Sequence, residues 1–184
     1  MLIRNVTFLG FSEAEPGGEL YESAFNTAKL LVEMGYMVVN GGGPGVMRAA
    51  TEGAHAAKGR AIGIYFSPKG MTNFEGKDPQ NKVDQEILCP DYVQRTLKLL
   101  DYGDCYLIFA GGTGTISEFG MAWGLARLYF GHHKPLLLYG SFWYPIMEIL
   151  AEKLPLRKEE LEVYRIVNNP KEALLAIREF EDKM

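Results

Sequence analysis

Cysteine and histidine are scarce in this 184-residue chain, which carries two of the first and three of the second. Cys89 and Cys105 stand sixteen positions apart with no C-x-x-C pair, and His132 and His133 are adjacent, so the spacing gives neither a zinc framework nor a disulfide scaffold. No metal site is expected. Positive charge is not in excess either. A formal net charge of -4 argues against a nucleic acid polymer as the main partner, because such affinity rests on many Lys and Arg contacts to phosphates. No apolar run approaches the roughly 20 residues that a membrane helix needs. The segment from Met1 to Gly10 reads as strand, without a basic stretch leading into an apolar core and a small-residue cleavage site. A cytoplasmic protein without membrane contact is expected. Internal repeats and low-complexity tracts are also missing.

The composition, 47% hydrophobic and 23% charged, is that of one globular domain spanning residues 1–184. Short apolar, β-branched runs predict strands near 3–10, 36–40, 60–66, 104–109, 134–139 and 162–167. Amphipathic stretches predict helices near 19–34, 45–58, 91–101, 115–130, 142–153 and 170–182. Strands alternating with helices imply right-handed crossovers. The expected fold is a Rossmann-like, doubly wound, mostly parallel sheet with helices on both faces. The stretch from Ser67 to Pro90 is the least regular and reads as a long connection, from which Asn73 or Glu75 would be able to reach a ligand.

Two glycine clusters follow predicted strands, and in an open α/β sheet that edge is where ligands bind. Gly111-Gly112-Thr113-Gly114-Thr115 follows the apolar run Cys105 to Phe109 and opens a helix. Bare backbone, several N–H groups at a helix start and two threonine hydroxyls are what a phosphate requires. The helix dipole adds about 0.3–1 kcal/mol toward an anion there. Gly41, Gly42, Gly43 and Gly45 flank Pro44 in the second cluster, after Met37-Val38-Val39. Neither cluster holds the Gly-Lys-Ser/Thr of an NTPase loop. Ser117 and Val46 stand where the third glycine of a dinucleotide fingerprint would fall. A tight strand-to-helix turn is the plainer reading of either cluster.

Glu118 ends the run Thr115-Ile116-Ser117-Glu118, which has capping-box spacing with Thr115 at or near the N-cap. It is either a capping residue or a reactive carboxylate. Favouring the second, the helix from Thr115 to Phe130 has Arg127 as its only other charge and apolar residues on two faces, so a carboxylate there loses water and its pKa rises. Asp91 begins the preceding helix in a cap-like way. On that helix Val93, Leu97 and Leu100 share one face and Arg95 lies roughly opposite, either as a solvated arginine or as a ligand contact. Gly120 and Gly124 would admit a close helix, from the same subunit or from a second copy. With apolar surface on both helices, a homodimer with the site near its interface is expected.

Together these residues resemble the Lonely Guy family of cytokinin-activating phosphoribohydrolases, often labelled possible lysine decarboxylases. Its signature P-G-G-x-G-T-x-x-E is matched from Gly111 to Glu118, with Ala110 in place of the proline. Gly41 to Ala50 matches its earlier glycine-rich segment. Arg95 stands fifteen positions before Ala110, as the family's Arg-Lys pair does before its proline, with Thr96 in place of the lysine. Ser12 is similar to its Gly-Ser-Ser element.

The resemblance implies hydrolysis of the N-glycosidic bond of a nucleoside 5′-monophosphate such as AMP, with Arg95 and Glu118 catalytic. The substrate would be held by Ser12, Gly41, Gly42, Gly43 and Gly45 and by Gly111, Gly112, Thr113, Gly114 and Thr115. No cofactor is implied. Decarboxylation of lysine would ordinarily need pyridoxal phosphate on a Schiff-base lysine, and neither glycine loop contains one. Family relatives also resemble carriers of molybdenum cofactor, so a non-catalytic binding protein of the same fold is the alternative.

Overall fold

The computed structural model describes residues 2–66 and 77–183. Seven parallel strands form one sheet: β1 (Asn5–Leu9), β2 (Met37–Asn40), β3 (Ala61–Phe66), β4 (Gln85–Cys89), β5 (Cys105–Ile108), β6 (Leu136–Tyr139) and β7 (Tyr164–Val167). The helices between and after them are α1 (Glu19–Glu33), α2 (Val46–Ala56), α3 (Tyr92–Tyr102), α4 (Thr113–Leu128), α5 (Trp143–Lys153), α6 (Lys158–Glu162) and α7 (Pro170–Lys183). The sheet order is β4-β3-β2-β1-β5-β6-β7, the doubly wound Rossmann-like arrangement expected from the alternation, and every pairing is parallel.

The central strands are apolar throughout because both faces are covered. Along β5 the side chains alternate: Cys105, Leu107 and Phe109 enter the layer beneath α1, α2 and α7. Tyr106 and Ile108 enter the opposite layer with Leu99 and Leu100 of α3, Phe119 of α4 and Trp143 of α5. The Trp143 indole donates to the Ile108 carbonyl at 3.1 Å, so the end of β5 is tied to α5.

Two elements depart from the expected organisation. β4 lies within the stretch read as a connection, and only Cys89 of its five residues is buried. Leu88 is 74% exposed. An edge strand with so little to bury carries no apolar pattern. α6 has five residues, too few to show a helical period. Asn73 and Glu75 lie outside the described residues.

The topology decides where a ligand can enter. Sequence-consecutive strands run outward from β1 to β4, and the chain then returns through α3 to place β5 on the other side of β1. Strand order therefore reverses between β1 and β5, and the loops following them diverge into a crevice. α3 crosses one face against β1, β2, β3 and β4, which brings its first turn over the same crevice.

Candidate functional site

The crevice is a cleft of about 330 Å³ at the carboxyl ends of β1, β2, β3 and β5. Backbone hydrogen bonds fix its three loops to one another. Phe11 N–H donates to the Ala110 carbonyl at 2.8 Å, and Val46 N–H donates to the Phe11 carbonyl at 3.0 Å. The short segment after β1 thus holds both glycine loops in register.

The loop after β2 requires its glycines for space and for backbone conformation. Gly42 and Gly45 have φ of +69° and +62°, a region that side chains rarely permit. A side chain on Gly42 would also strike the Tyr65 ring, and one on Gly45 the Phe11 and Ser12 backbone. The loop's carbonyls are tied off on the protein side. Asp78 N–H donates to the Gly42 carbonyl at 3.1 Å. The buried Asn81 amide donates to the Gly43 carbonyl at 2.8 Å.

The loop after β5 leads into α4, whose N-cap is Gly112 and whose first helical bond runs from Ile116 N–H to the Gly112 carbonyl at 3.0 Å. The N–H groups of Thr113, Gly114 and Thr115 precede the ladder. These residues line the cleft, so the helix presents there N–H donors that meet no partner among the described residues, with the positive end of its dipole. The N-cap expected at Thr115 is displaced by three residues to Gly112, and no side chain among the described residues caps this helix start.

Glu118 consequently forms no capping box. It is buried, and its carboxylate accepts a hydrogen bond from Arg95 Nη1 at 2.6 Å. Only 12% of the Arg95 side chain and 6% of the Glu118 side chain remain exposed. Burial pushes the Glu118 carboxyl above the ordinary carboxylate range, while the adjacent Arg95 charge and hydrogen bond pull against that shift. Arg95 is no solvated surface arginine. Its Nε also donates to the Ile64 carbonyl at 3.3 Å, so the guanidinium is held between β3 and α4.

Of the residues singled out from sequence, Ser12, Gly41, Gly43, Arg95, Gly112, Thr113, Gly114, Thr115 and Glu118 line one cleft. Gly42, Gly45 and Gly111 belong to the same loops without lining the cleft, the first two buried and Gly111 exposed. Phe11, Met47, Tyr65, Phe66, Lys77 and Tyr92 also line it and were not anticipated. Tyr92, one turn before Arg95 on the same helix, was open to inference by helical spacing. Lys77, set over the Tyr65 ring and paired with Glu86, had no sequence signal.

Among the described residues, no group of three or more His, Cys, Asp or Glu is placed to hold a metal ion. No helix among them is long and apolar enough to cross a membrane.

Fold and cleft together define a Rossmann-like α/β protein with a glycine-rich cleft at its topological switch point. Residues 47–177 match the family described as "Possible lysine decarboxylase", and the chain belongs to that family, the Lonely Guy group. An uncharacterized protein of Archaeoglobus fulgidus is 28% identical over 122 residues, covering 66% of this chain and 75% of that one. Among solved structures, TM1055 is similar with a TM-score of 0.69 at 24% identity, over 96% of this chain and 99% of that one. The molybdenum cofactor binding protein of the phototrophic bacterium Rippkaea orientalis gives 0.72 at 22%, over 98% and 99%. At such identities the likeness establishes the fold.

Proposed function

We propose that this protein is a nucleoside 5′-monophosphate phosphoribohydrolase, releasing free base and ribose 5-phosphate. The observation that carries the reading is the buried Arg95–Glu118 pair, 2.6 Å apart in the cleft that also receives the start of α4. Phosphate binds the unused N–H groups of Thr113, Gly114 and Thr115, with the threonine hydroxyls and Ser12 as further donors. Binding energy from that remote group fixes the reacting bond in place. Cleavage of the N-glycosidic bond passes through an oxocarbenium-like state, by analogy with glycoside hydrolysis. Glu118 stabilises the positive charge at C1′ or positions the attacking water, and Arg95 orients the ligand and assists departure of the base. Water supplies the hydroxyl that ends on C1′ and the proton that ends on the base.

Lysine decarboxylation is disfavoured by the same cleft. Lys77 is its one lysine among the described residues, and it is engaged by Glu86.

Chromatography of AMP and other nucleoside monophosphates after incubation tests the reading. Free base should appear, and Glu118→Gln should abolish its release while retaining nucleotide. Tight binding without release of any base would overturn the hydrolase in favour of a carrier. Ala110 and the buried Thr96, whose hydroxyl meets no partner among the described residues, are the departures from the family pattern that favour that alternative.

The working form in this reading is a homodimer. Val93 and Leu97 on α3 and Ile116 and Leu128 on α4 are exposed. A second cavity of about 420 Å³ opens between these helices beside Leu97, Leu125 and Tyr129. A Cβ on Gly120 or Gly124 would meet nothing within 4 Å among the described residues, so close packing within those residues does not account for them.

A further inference from the structure

We infer that Tyr92 and Ser117 are a positioning pair that strengthens the phosphate site through the Gly114–Thr115 peptide; this rests on the phosphate reading of the loop after β5. Tyr92 and Arg95 are three residues apart and share a face of α3. Arg95 reaches Glu118, and Tyr92 reaches Ser117, the residue just before it, with 2.6 Å between hydroxyl oxygens.

The two shorter contacts give that bond its direction. Ser117 has one hydroxyl proton, and at 2.7 Å the Gly114 carbonyl is its acceptor. In that arrangement Tyr92 donates to Ser117. Its own oxygen lies 3.4 Å from the same carbonyl, so the chain of two hydroxyls converges on one peptide group. The other end of that peptide is the Thr115 N–H, which precedes the α4 ladder and lines the cleft.

Hydrogen bonds in series polarise one another. A donor on the Gly114 oxygen thus makes the Thr115 N–H a better donor to an anion. The phenol is itself aimed: the Phe66 ring stands edge-on to Tyr92 with centroids 5.8 Å apart. Tyr92 accordingly acts on the ligand from the wall of the cleft, through Ser117 and the backbone.

The test is titration calorimetry of the full chain with inorganic phosphate, AMP and adenosine. Tyr92→Phe and Ser117→Ala should each weaken phosphate and AMP by about 1.5- to fourfold, the size expected when a hydrogen bond to a charged group is weakened by roughly 10–30% and not lost. The double variant should be no weaker than the weaker single one, because both act through one peptide. Ser117→Thr should restore wild-type affinity. Adenosine, which has no phosphate, should bind all variants alike.

Unchanged phosphate affinity in the single variants, additive losses, or an equal loss for adenosine would each overturn the pair. Wild-type protein that binds neither phosphate nor AMP would overturn it together with the anion site. Wild-type protein that binds AMP without releasing base would overturn the hydrolase alone.

Discussion

Gly41 and Arg95 claim the same space: a methyl group built on Gly41 would overlap Arg95 Nη2. Bare backbone at the end of β2 is therefore what lets the guanidinium lie between Ile64 and Glu118. Gly41 has no left-handed backbone requirement, so Gly41→Ala acts through volume alone. The atom it displaces is the tip of a flexible side chain, and the fold should persist by circular dichroism. Arg95 should move off Glu118, and base release from AMP should fall on the order of 100-fold, as misplacing a reacting group by about 1 Å does. Wild-type turnover in the folded variant would show that Arg95 need not lie there.

Burial of Glu118 has a pH consequence whose sign is fixed. Its carboxyl titrates higher in the folded protein than in the unfolded chain, mainly through desolvation and against the pull of Arg95. In the window above the ordinary carboxylate value of 4.5 the folded state holds more protons, so this residue's contribution to stability is lost as pH rises. Glu118→Gln cannot ionise. Its melting temperature relative to wild type should climb from pH 4 to pH 8, and a flat difference would contradict the shift. In the hydrolase reading, base release should show an acidic limb above the ordinary carboxylate range.

The sheet was legible because its signals are redundant. β5 is apolar along its whole length and is followed at once by glycines, so strand, edge and loop were readable together. The capping-box spacing at Thr115 misled because it is a local signal, whereas the partner that decides Glu118 stands 23 residues earlier on α3. β4 was invisible because an exposed edge strand need not alternate, and α6 because one turn has no period. Lys77 and Tyr65 enter the cleft through sheet order, which no spacing along the chain encodes.

Asn81 holds the loop after β2 from behind. Its amide donates to the Gly43 backbone carbonyl at 2.8 Å and approaches the Asn40 side-chain Oδ1 at 3.5 Å, and that same Oδ1 accepts from Gly42 N–H at 2.8 Å. Asn81→Ala would leave the Gly43 carbonyl buried without its donor, at a cost of about 1–3 kcal/mol. Urea unfolding should register that loss with an unchanged denaturant slope. A variant as stable as wild type would mean that water replaces the amide.

Gly124 gives the interface a test of sign. A Cβ there meets nothing within 4 Å among the described residues, which leaves room for arginine in the isolated chain. Replacing a helix-interior glycine by arginine should then stabilise a monomer by roughly 0.5–1 kcal/mol, from helix propensity alone. In a dimer packed across α3 and α4 the same substitution forces a charge and a long side chain into a closely approached face, and both assembly and apparent stability must fall. Light scattering should give a dimer for wild type and a monomer for Gly124→Arg, with a melting temperature that has lost its dependence on protein concentration. A wild-type monomer, with Gly124→Arg melting higher, would place this apolar face in water and remove the dimer from the mechanism.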